Sequence, residues 1–132
     1  MVIRIASIVL RASGGLAVLL GLLFWLGIAR NLVPVHMLLG ILVVLSLWVI
    51  GIGQAVNGGS WPMAVGALLL GALVVVVGLR QTSLLLGPLH WVIQVVHLLL
   101  GMGAVGFGQA MVARSRGAVR VPGAAVSPPQ SP

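Results

Sequence analysis

The sequence contains no aspartate, no glutamate, no cysteine and no lysine. Each absence removes a class of chemistry. Without cysteine there are no disulfides, iron–sulfur clusters or thiolate metal sites. Without carboxylates, a serine hydrolase has no acid to orient its histidine, and a proton or cation pathway lacks its usual groups. Charged residues make up 5% of the 132-residue chain, against roughly 25% in soluble domains. So few charges cannot cover a water-facing surface. With 61% hydrophobic residues and a mean hydropathy of +1.28, the chain reads as an integral membrane protein.

What charge there is comes from seven arginines, a formal +7. On a soluble protein this excess would suggest nucleic acid. Here the arginines fall between and after apolar runs, where lipid headgroups and membrane topology account for them, and no nucleic-acid partner is expected.

Four apolar segments, approximately Ala12–Ala29, Pro34–Val56, Pro62–Leu79 and Pro88–Ala113, are each close to the ~20 residues that cross a hydrocarbon core as a helix. The first reaches that length if Arg11 snorkels toward the headgroups. The connections "RNLV", "NGGSW" and "RQTSLLLG" are short, so consecutive helices should be antiparallel neighbours in an all-α four-helix bundle. Proline opens each of the last three segments, where a helix tolerates it. Trp25 and Trp91 are expected near one membrane face, Trp48 and Trp61 near the other. Arg4, Arg11, Arg114, Arg116 and Arg120 lie on the side of the termini, and Arg30 and Arg80 on the other. The positive-inside rule then places both termini in the cytoplasm of a cell with a bacterial-type plasma membrane. Residues 1–116 form the expected transmembrane domain. Residues 117–132, rich in Pro, Ala and Gly, form an expected disordered tail.

An order of short motifs occurs twice. "AVLLG" (17–21), Arg30, "PVH" (34–36) and "GIGQA" (51–55) are matched by "ALLLG" (67–71), Arg80, "PLH" (88–90) and "GFGQA" (106–110). Two helical hairpins, about 12–56 and 62–113, are therefore expected as parallel repeats about an axis along the membrane normal. This register makes His90 the counterpart of His36. A rival register aligns "VHMLLG" (35–40) with "VHLLLG" (96–101), making His97 the counterpart. The first is preferred because it gives His36 and His90 nearly equal spacings to Gln54 and Gln109.

His90, Gln94, His97, Gly101 and Gly108 form one polar, small-residue face of the last segment, and His36 and Gly40 form a matching i, i+4 pair. Lipid cannot satisfy imidazole or amide groups, so these faces should turn inward. A glycine beside a histidine leaves room for a flat group. Neutral imidazole ligates iron without a carboxylate nearby, so a b-type heme held by His36 and His90 is the sharp expectation. Arg30 and Arg80, on the same side, would meet its propionates. His97 then serves as an alternative ligand, a proton-handling group or a quinone contact. The bland expectation is that the histidines and glutamines bond neighbouring helices and the arginines meet lipid phosphates.

Two-helix units that each offer an inward histidine, on Pro34-x-His36 and Pro88-x-His90, resemble the small four-helix membrane b-type cytochromes, including the heme A synthase and transmembrane cytochrome b bundles. The resemblance implies a single-heme electron-transfer or quinone-linked subunit rather than an enzyme. The alternatives are a cofactor-free accessory subunit of a larger membrane complex, or of a homo-oligomer, and a bacteriochlorophyll-binding subunit.

Overall fold

The computed structural model describes residues 1–118 and is all-helical over that range. Helix α1 runs Val2–Trp25. A 3₁₀ turn, Arg30–Leu32, leads into α2, Val33–Val56; α3 spans Trp61–Arg80 and α4 spans His90–Ala118. All four are long and apolar enough to cross a membrane, with mean hydropathies of 1.9, 2.5, 2.5 and 1.7 over their most apolar windows. That is the build of a multi-pass membrane protein. In lipid the backbone must satisfy its own hydrogen bonds, which is why sequences this rich in Gly and Val still form unbroken helices. Pro34 and Pro62 occupy first-turn positions of α2 and α3. Pro88 instead lies in the turn that precedes α4. Beyond Ala118, the expected tail lies outside the described residues.

Helix α1 starts well before the expected Ala12. Arg4 and Arg11 read as a boundary in the sequence, yet the residues between and beside them pack: Ala6, Ser7, Leu10 and Ser13 are buried, and Leu10 is 0% exposed. Burial on one face carries the helix through both arginines, which stay on the other.

Neighbouring helices alternate in direction, and small residues set how closely they approach. In lipid, association rests on such packing rather than on expulsion of water. Gly108 of α4 admits the tip of Leu10, and Gly14 of α1 admits Val105. Gly51 lies on Ala67 and Ala64, and Gly71 lies under the Trp48 indole. Trp48 therefore sits deep in the bundle against the middle of α3, not at the interface where the aromatic belt placed it. Its Nε1 is buried without a hydrogen-bond partner. A methyl group at Gly71 would collide with this rigid ring. Gly71→Ala should accordingly lower stability by about 1–3 kcal/mol, the usual cost of overpacking, measured as the thermal unfolding midpoint in detergent. An unchanged midpoint would mean that the α2–α3 contact is looser than described.

Candidate functional site

Helices α2 and α4 run parallel across the bundle, and their contacts define a common depth. Leu47 faces Gly108, and the His36 and His97 rings face each other at 6.3 Å between centroids, inclined by 61°. Both pairs are 61 positions apart in sequence. The structure thus brings His36 to His97, the pairing of the "VHMLLG"/"VHLLLG" register. His90 lies about two helical turns nearer the membrane surface. Its Nδ1 is 3.3 Å from the carbonyl oxygen of Leu84 in the preceding loop.

The register built on Gln54 and Gln109 differs because the two glutamines are not at one depth. On the packed helices Gln109 is level with Trp48. Gln54 lies six residues further along, roughly 9 Å at 1.5 Å per residue. Gln109 instead lies against α1, with 3.5 Å contacts to the hydroxyl and carbonyl of Ser7.

Around the histidine pair the bundle is open. One cavity of about 170 Å³ lies between α1 and α4; another of about 360 Å³ lies between α2 and α3. They share His36, His97, Phe24, Gly40, Val74 and Gln81, so the two imidazoles stand between the two spaces. Glycine makes the openings. Gly40 and Gly101 each lie one turn beyond their histidine, and a Cβ at either would meet nothing within 4 Å. Gly21 faces the His36 ring edge, with 3.6 Å from its would-be Cβ to His36 Cε1. Gly78 lets α3 close on His97, where a Cβ would come within 2.8 Å of His97 Cε1. Phe24 stacks edge-on to His36 at 5.4 Å. Nδ1 of both His36 and His97 is buried with no hydrogen-bond partner.

The other expected site residues divide. Gln94 lines the α1-side cavity and Gly40 lines both. Arg30 and Arg80 are exposed at the end of the bundle nearer the histidines, and neither lines either of these two cavities. Among the described residues no three metal-ligating side chains cluster. A site here can therefore offer at most two imidazoles to one centre. Phe24 and Gln81 went unnoticed in the sequence. Phe24 was findable, since it continues the small-residue face of Gly14, Ala17 and Gly21.

The spacing can be tested against a shared iron. With imidazole nitrogens ~2.0–2.1 Å from the metal, as for zinc, and ring centres roughly 1.1 Å behind them, from C–N bonds near 1.33 Å, collinear ligation puts the centroids about 6.3 Å apart. The observed separation is 6.3 Å. The ring planes are inclined by 61°, and a shared metal requires one nitrogen of each ring to point at the other. A flat macrocycle between them would extend into the cavities on both sides. The residues present fit such a group.

Comparison of the chain with protein-family models, curated proteins and solved structures returns no match.

Proposed function

We propose that the protein is a membrane b-type cytochrome, a heme-bearing electron-transfer subunit in which His36 and His97 would hold the iron. The observation that carries this reading is the pairing itself. Two half-buried imidazoles, each with a buried Nδ1 that has no hydrogen-bond partner, stand at one depth with their centroids 6.3 Å apart, and each has an unfilled glycine position one turn away. Bound heme would supply one-electron transfer at the potential its ligands and surroundings set. His36 and His97 would hold the group between α2 and α4, and Phe24 and Val74, which line both cavities beside them, would give it an apolar surround. The buried, unpartnered Nδ1 atoms of both rings support the same reading, since lipid could not satisfy them.

The same spacing favours one shared macrocycle over one bacteriochlorophyll per histidine. At a centroid separation of 6.3 Å, collinear rings would leave about 4 Å between their nitrogens, and stacked π-planes each need roughly 3.5 Å. Both termini, on this reading, face the cytoplasm, and the heme lies toward the opposite surface, beside Arg30 and Arg80. A fixed cation stabilises the electron-rich ferrous state. Arg80→Gln should therefore lower the midpoint potential in a spectroelectrochemical titration, and an unmoved potential would assign that guanidinium to lipid headgroups.

The experiment for the function is an absorption spectrum of the purified protein before and after dithionite, with pyridine extraction of any pigment. A second reading, the cofactor-free accessory subunit, gains support from Arg11, an exposed cation on the outer face of α1.

A further inference from the structure

Arg11 lies at the level of the bundle's middle. Helix α1 is antiparallel to α2, and three contacts fix their alignment: Ile3 against Gly53, Leu10 beside Leu47 at Gly108, and Gly21 against His36. These put Arg11 level with Ser46. Ser46 is about 10 residues from the Val56 end of α2, roughly 15 Å along the axis. Helix α3 gives the same answer from the other side. Its 20 residues span roughly 30 Å, one hydrocarbon thickness, and Trp48, just past Ser46, rests on Gly71 at its midpoint.

The side chain is exposed on the outer face of α1. It makes no hydrogen bond among the described residues, and the chain has no Asp or Glu to pair with it. An extended arginine reaches about 7 Å from its Cα, six bonds of roughly 1.5 Å, which falls short of the nearer surface. Ionised groups at this depth mark functional contacts, because lipid offers them no partner. The surrounding face suits a close neighbour. Ala12 is exposed beside Arg11, and one turn on, Gly15 has nothing within 4 Å of its Cβ position. A second helix can approach the backbone there.

We propose that the Ile8–Arg11–Gly15 face of α1 docks a membrane-spanning helix of a different protein, one that carries an aspartate or glutamate at mid-membrane depth. A guanidinium and a carboxylate pair through two parallel hydrogen bonds, and in lipid neither group has another partner. A second copy of this chain cannot take this role, since it brings no acid. The inference stands apart from the heme: Arg11 lines neither cavity.

The test is site-specific photo-crosslinking of the full chain in its native membrane, with the photoreactive residue at position 12 or 19. Leu19 lies on the same face and is 54% exposed. The expected product is an adduct with a membrane-spanning segment that contains Asp or Glu. Arg11→Lys should keep its yield, Arg11→Leu should cut it at least tenfold, and converting the partner's acid to its amide should match that loss. The visible spectrum and unfolding midpoint should not move in Arg11→Leu. Adducts with lipid alone, with a second copy, or with a segment lacking an acid would overturn the proposal. So would no adduct at either position, or a yield indifferent to Arg11.

Discussion

His36→Ala and His97→Ala should each abolish the reduced α-band of the purified protein, while His90→Ala should leave it close to full intensity. The asymmetry follows from where α4 places its two imidazoles. His97 stands 6.3 Å from His36 across the bundle. His90 is two turns away with its Nδ1 at the Leu84 carbonyl. Removing one of two axial ligands leaves a single imidazole, and the loss should exceed tenfold in heme retained per protein. The outcome that would contradict the assignment is equally concrete. If His90→Ala bleaches the protein and His97→Ala does not, the ligand pair is His36 and His90, and the α2–α4 alignment described above is wrong. Each variant needs its unfolding midpoint measured beside the spectrum, because loss of a cofactor that binds only the folded state also lowers stability.

Filling the glycine openings should separate cofactor from fold. Gly40→Leu and Gly101→Leu place a branched side chain in space that no atom occupies within 4 Å of the Cβ position. The apoprotein should stay as stable or gain up to about 1 kcal/mol, since glycine costs roughly that much against better helix formers. Heme content should fall to a small fraction, because the added side chain occupies the space the macrocycle needs. Gly71→Ala predicts the reverse pattern, an unfolding penalty without a direct block at the site. Should Gly40→Leu and Gly101→Leu both bind heme normally, the cavities are not where it sits, whatever the histidines do.

Much of this was legible in the sequence, and the rest was hidden for identifiable reasons. Absent acids and long apolar runs sufficed for a four-helix membrane chain. Pro34 and Pro62 marked where α2 and α3 begin. The inward character of His36, His97, Gln94 and Gly40 followed from helical periodicity alone. Depth was harder. Sequence spacing gives position along one helix, but the relative depth of two helices depends on which small residues they share, and Gly108 against Leu47 is visible only when packed. The glutamines served as depth markers in the sequence and were poor ones, because Gln109 answers to Ser7 of α1 rather than to Gln54. The start of α1 was obscured by a sound rule. Charges usually sit at membrane ends, and Arg11 departs from that rule on a face where it makes no hydrogen bond among the described residues.

A tetrapyrrole iron between α2 and α4 has its own signature in visible absorption. The intact protein, purified from its native membrane, is scanned in the visible region as isolated and after dithionite. The expected result is a b-type spectrum with a reduced α-band and about one extractable heme per chain. A featureless spectrum in both states, with no pigment in the extract, would contradict it and leave His36 and His97 as a structural contact between helices.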